Sequence, residues 1–195
     1  QAKETYGTSG TRIQLRFFAG WNFADDLPAS LDPVTAAYAG GVPMGGELAP
    51  TSGAGAPAFL VWAMADPESA PLQRVQMVKG WLDAAGESHE QVVDIACADG
   101  LTPDPQTGRC PDNGAGVDLS NCQVSAGKGA AELKVLWRDP QFDADLPSFY
   151  YVRVLQNPSC RWSSYDALRL GIPPSPHAAP AIQERAWSSP IWYKP

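Results

Sequence analysis

RVQMVKGWLDAAGESHEQVVDIAC, residues 74–97, decides the fold class. Its first nine residues alternate, with Val75, Met77 and Lys79 on one side, as a half-buried strand does. DAAGESHE at 83–90 is small and polar and reads as a turn. QVVDIAC at 91–97 returns, so the stretch predicts a β-hairpin. Outward from it, IQLRFF (13–18), FLVWAMA (59–65, between Pro57 and Pro67), AELKVLWRD (131–139) and SFYYVRVLQ (148–156) read as further strands. AWSSPIWYKP (186–195) supplies a last strand, in which Pro190 argues for an edge position. SSYDALRLG (163–171) is the one helix expected, with serine at its start and Gly171 as its stop. Lys3 and Glu4 read as the close of a preceding helix, residues 24–57 as mostly loop, and PPSPHAAP (173–180) as a rigid linker. Roughly seven strands and one short helix predict a mainly β chain, an immunoglobulin-like β-sandwich.

Composition agrees. The chain has 195 residues, 44% hydrophobic and 18% charged, which suits one globular domain with a real core. Gly 18 and Pro 19 favour turns and short strands over long helices. The formal net charge of −7, with no basic cluster in the sequence, excludes nucleic acid as the expected partner. No apolar run is long enough for a membrane span. The chain opens at Gln1 without an initiator Met or a leader pattern, which reads as a processed chain or a fragment.

Cys97, Cys110, Cys122 and Cys160 lack the paired spacing of a zinc ribbon and allow three pairings. The Gly/Pro/Asp/Asn-rich segment between Cys97 and Cys122 has little apolar surface, so a covalent staple is expected. The pairing adopted is Cys97–Cys110 and Cys122–Cys160, which implies an oxidising compartment, periplasmic or secreted. The alternative is four reduced, buried thiols.

Several segments resemble one family in order along the chain: KETYGTSGTRIQLRFFAGWNF (3–23), GVPMGGEL (41–48), FLVWAMADPES (59–69), LQRVQMVKGWLDAAGESHEQVVDIAC (72–97), GAAELKVLWRDPQFD (129–143), FYYVRVLQNPSCRWSSYDALRLG (149–171) and IQERAWSSPIWYKP (182–195). They resemble the C-terminal third of the "domain of unknown function 3604" family, large bacterial proteins, often exported, related to the polymerase-and-histidinol-phosphatase (PHP) hydrolases. The resemblance implies an upstream β/α barrel carrying divalent metals and a C-terminal sandwich joined to it at Lys3–Gly10. Residues 1–12 are then the junction and 13–195 the sandwich. The family's His-x-His and Asp-x-His metal motifs would lie upstream of Gln1; neither occurs in this chain, so it is expected to hold no metal or other cofactor of its own. The function implied is an accessory, pocket-walling domain of a metal-dependent hydrolase of phosphoesters or related anionic esters, inactive alone. Its partner is that barrel in the same polypeptide. The competing reading is a secreted binding module for glycan or protein.

The candidate substrate-facing residues are Tyr6, Thr8, Ser9, Arg12, Arg161, Trp162 and Arg185. Tyr6, Thr8, Ser9 and Arg12 offer hydroxyls and a guanidinium at a glycine-rich turn, suited to a phosphate or sulfate; the plainer reading has Arg12 paired with a carboxylate. Arg161 and Trp162 follow Cys160, whose disulfide would fix them facing a cleft; the plainer reading pairs arginine with glutamate and stacks it on tryptophan. Asp104, Asp112, Asn113 and Asp118 could serve calcium or simply form turns, and Asp139, Asp143 and Asp145 draw the same pair of readings. Of seven tryptophans, Trp62, Trp81, Trp137 and Trp192 read as packing, and Trp21 and Trp162 as free to stack on sugars. His89 and His177 have no nucleophile or acid at recognisable spacing, so no catalytic residue is assigned.

Overall fold

The structure, a computed structural model, describes residues 3–51, 53 and 55–195. Its strands are β1 (Tyr6–Thr8), β2 (Gln14–Gly20), β3 (Val42–Pro43), β4 (Glu47–Leu48), β5 (Ala58–Met64), β6 (Leu72–Leu82), β7 (Ser88–Cys97), β8 (Val117–Asp118), β9 (Gln123–Val124), β10 (Glu132–Arg138), β11 (Ser148–Gln156), β12 (Ser159–Cys160), β13 (Ala181–Ile182), β14 (Arg185–Ser188) and β15 (Ile191–Tyr193). Two helices interrupt them, α1 (Pro33–Gly40) and α2 (Trp162–Leu170).

Sheet one runs β7-β6-β11, after which β14 and β15 share the far edge of β11; β1 then extends β14 and β4 extends β15. Sheet two runs β10-β5-β2-β3. Pairing is antiparallel throughout both sheets except between β15 and β4. Leu15, Phe17, Phe59 and Val61 of sheet two pack on Val75, Met77, Val152 and Val154 of sheet one in a common core. The chain is mainly β, two facing sheets consistent with the immunoglobulin-like sandwich expected.

The expected hairpin is present as β6 and β7, with Val75 and Met77 buried and Lys79 among them. Its turn is shorter than 83–90, because His89 already pairs with Trp81 as part of β7. Lys79 is held between the sheets by Asp139, whose carboxylate also accepts the Tyr150 hydroxyl at 2.8 Å. Burial, and then the Asp139 charge, push the Tyr150 hydroxyl pKa up. FLVWAMA is apolar at every position because sheet two is covered on both faces. One face meets sheet one. The other, with Phe18, Ala58 and Leu60, is covered by Phe23, Leu27 and Ala37.

That cover contains α1, within the stretch expected to be mostly loop. Its start signals are present: Asp32 accepts the Thr35 N–H at 3.0 Å and Pro33 opens the first turn. Helix α2 stops where expected, with Gly171 left-handed at φ 64. Lys3 and Glu4 close no helix; Glu4 takes the Tyr38 hydroxyl and lies 3.8 Å from Arg16. Nor is Pro190 in an edge strand. It breaks the closing segment into β14 and β15, each paired with β11, and its carbonyl accepts from Gly45. Tyr6–Thr8, in the segment set apart as a junction, adds a strand to sheet one.

Both expected disulfides are present, Cys97–Cys110 and Cys122–Cys160. The first ties the end of β7 to the loop that folds back on it. That loop is anchored by buried Asn113, which accepts from Gln73 at 3.0 Å and donates to Asp99 at 2.8 Å and Asn157 at 3.0 Å. A polar loop can lie against the sheet because its amides are mutually satisfied.

Candidate functional site

An open depression of about 950 Å³ lies where the chain's first turn meets α2. Ser9 enters it from the end of β1, and the Cys122–Cys160 disulfide lines it between them. Trp162, Tyr165 and Arg169, at helical spacings of three and four, line it from α2. Trp162 is 73% exposed. Glu184, just before β14, accepts the Ser9 hydroxyl. Ser9 also binds the backbone of Arg185 in both directions, its N–H donating to the Arg185 carbonyl at 3.0 Å and its Oγ accepting from the Arg185 N–H at 2.9 Å.

Two of the seven candidates thus share one depression, Ser9 and Trp162. Arg185 leaves it: its backbone is held by Ser9, but its guanidinium lies 5.8 Å from the Trp187 ring on the outer face of sheet one. Arg12 pairs with Asp66, its backbone N–H donating at 2.8 Å and its Nε at 3.4 Å. The Arg12 N–H first, then the Glu68 N–H, hold the Asp66 carboxyl below the usual range. The carboxylate reading of Arg12 is therefore the one realised. Tyr6 lines a separate cleft of about 350 Å³ with Arg16 and Trp62. Thr8 is exposed on β1 opposite Ala186. Arg161 precedes α2 and donates to the Ala179 carbonyl at 3.1 Å, pinning the proline-rich segment.

The depression carries Glu68, Asp166 and Glu184 against Arg169. It leans acidic, so it suits a neutral polar or aromatic-stacking ligand better than an anion. No histidine lines it. His89 is elsewhere, stacked on Trp81 at 5.2 Å and 2.8 Å from the Asp83 carboxylate, and His177 is exposed in the proline-rich segment.

The family model for "Protein of unknown function (DUF3604)" matches residues 1–195, the whole sequence. The chain belongs to the DUF3604 family. No curated protein and no solved structure matches it. In this DUF3604 chain the acidic residues considered for calcium are not brought together. Asp104, Asp112 and Asp118 each accept backbone N–H groups of their own turns, and Asn113 is committed to the amide cluster. Asp143 does the same for Asp145, and Asp139 is taken by Lys79 and Tyr150. Among the described residues, no three His, Cys, Asp or Glu side chains group as a metal ion would need. Trp21 is not free for sugars either: its Nε1 donates to the Ala49 carbonyl at 2.9 Å and its ring meets Phe142 and Tyr193 edge-on. Trp192, read as packing, is 42% exposed on the outer face of sheet one.

Sequence reasoning did not single out Arg169, nor Arg74, Arg109 and Arg153. The arginines of β6 and β11 sit at outward positions of alternating strands, a usable signal for exposure. Which of them meet depends on strand register and on a folded-back loop.

Proposed function

We propose that this chain is the C-terminal accessory domain of an exported, PHP-like, metal-dependent hydrolase of phosphoesters or related anionic esters. In this reading the divalent metals belong to an upstream barrel, and the sandwich packs on that barrel and walls its substrate pocket. The observation that carries it is the set of large apolar side chains left exposed on α2 and at its end. Trp162 and Leu170 are 73% and 70% exposed; Trp162 lines the depression beside the turn that follows β1, while the exposed Leu168 and Ile172 line a separate small cleft with Leu119 and Pro174. That many exposed large apolar side chains on one short segment support an interaction surface there. The two disulfides support an oxidising compartment, periplasmic or secreted.

Sequencing the coding DNA upstream of the Gln1 codon tests this. A continuous frame with His-x-His and Asp-x-His motifs is expected; a signal peptide ending at Gln1 would overturn the reading.

A second reading rests on Trp162 alone, an exposed ring in a polar depression. A glycan module would show polysaccharide-dependent tryptophan fluorescence that Trp162→Ala abolishes. No response in a folded chain would remove that alternative.

A further inference from the structure

The outer face of sheet one gathers charge that a net of −7 does not announce. Val75, Val154 and Ala186 point into the core, so their chain neighbours Arg74 on β6, Arg153 on β11 and Arg185 on β14 point out. Leu155 of β11 stands opposite both Arg74 and Arg185, and Arg153 stands opposite Gln76 and Trp187. The ladder is irregular on both sides of Arg74, between Val75 and Gln76 and between Leu155 and Gln156. Such irregularities re-aim side chains. A fourth guanidinium comes from the stapled loop: the Cys110 N–H donates to Asp94 at 2.8 Å, which brings Arg109 to within 3.7 Å of the same carboxylate.

Asp94 is the anion at the centre of this group. It lies 3.7 Å from Arg74 Nε and accepts Gln76 Nε2 at 2.7 Å; Gln76 in turn accepts Arg153 Nε at 2.7 Å. Two guanidiniums, those of Arg74 and Arg109, thus lie against one buried carboxylate; Arg153 reaches it through Gln76, and Arg185 stands on the same face. Burial first, and then the fields of Arg153, Arg109 and Arg185, lower the Arg74 pKa, with Asp94 acting the other way. Among the described residues the Nη groups of Arg153 and Arg185 meet no acceptor, their Nε groups alone being bonded, to Gln76 and to the Gln183 carbonyl. Guanidinium forks offered on one face by three strands and a loop match an acceptor with oxygens in several directions, which a tetrahedral group has.

We propose that this face, through Arg74, Arg109, Arg153 and Arg185, binds a tetrahedral oxyanion, a phosphate or sulfate group, free or as a monoester. The inference does not rest on the accessory-domain reading, since every residue is in this chain.

The test is calorimetric titration of the chain with inorganic phosphate and with inorganic sulfate, against potassium chloride at matched ionic strength. Binding of either oxyanion beyond the chloride control is expected, and the tighter of the two names the source. Arg153→Gln and Arg185→Gln should each weaken it about tenfold or more, the scale of one charge-assisted pair. Arg185→Lys should weaken it less, and Arg138→Gln, on the other sheet, should leave it unchanged. Arginine Nε–Hε resonances of Arg153 and Arg185 should shift in step with the heat. Heat no greater than with chloride, or wild-type affinity in the folded Arg153→Gln and Arg185→Gln variants, would overturn the proposal. Neither result would touch the barrel reading, which the coding frame decides.

Discussion

Tyr150 shows how one hydroxyl can govern behaviour at high pH. It is buried, and it donates to the carboxylate that also holds Lys79. Its folded pKa is raised above the ordinary 10.0 of tyrosine, by burial first and Asp139 second. The neutral form is therefore favoured in the folded state. That contribution is complete below the ordinary value and is lost as the pH climbs from there toward the raised folded value. Tyr150→Phe should cost about 2 kcal/mol at neutral pH, the scale of a hydrogen bond to a charged group. It should also flatten the fall in stability above about pH 10, both read by urea unfolding across pH. Gly129 is the second residue-scale case. Its φ is +88, and a Cβ there would lie 2.9 Å from the Leu72 carbonyl oxygen and closer still to Asn157 and Pro71. Gly129→Ala should destabilise by about 2–3 kcal/mol, from backbone strain and crowding together.

At the level of elements, the two disulfides differ in what they hold. Cys97–Cys110 closes a sequence separation of 13 and Cys122–Cys160 one of 38. On the chain-entropy account, replacing each pair by serine should cost about 3 and about 4 kcal/mol respectively, read by urea unfolding. The shorter staple also places Arg109 beside Asp94. Its loss should therefore weaken phosphate or sulfate binding as well, whereas loss of the longer one should disturb the Ser9–Trp162 depression and leave the arginine face intact. Helix α1 teaches a related point about sequence. Its cap, Asp32, and its Pro33 are local signals and were readable. The Gly- and Pro-rich residues around PVTAAYAG hid them, and no strong apolar stripe marks so short a helix.

For the whole molecule, the two faces of sheet one divide the labour. The inner face builds the core with sheet two, while the outer face carries the arginines at one end and Phe149 and Trp192 at the other. The depression under α2 is separate and acidic. Purified alone, the chain should show no divalent-metal-dependent phosphoesterase turnover, measured with an aryl phosphate over added manganese or zinc; clear turnover would contradict the accessory role. Trp162→Ser with Leu170→Ser should change the stability of the isolated chain by no more than about 0.5 kcal/mol, because both side chains are already exposed. Read from the sequence by itself were the alternating strands, the stop of α2 at Gly171 and the family. Each is written in local periodicity, in turn chemistry or in an ordered run of motifs. The tertiary structure alone decided which of the three cysteine pairings forms, that Arg12 is taken by Asp66, that Trp21 is packed, that Ser9 and Trp162 share a depression, and that Arg74 and Arg109, distant in the chain, meet at Asp94. Those outcomes depend on strand register and on a loop folded back by a disulfide, and side chains that meet across a sheet leave no spacing in the sequence by which to recognise them.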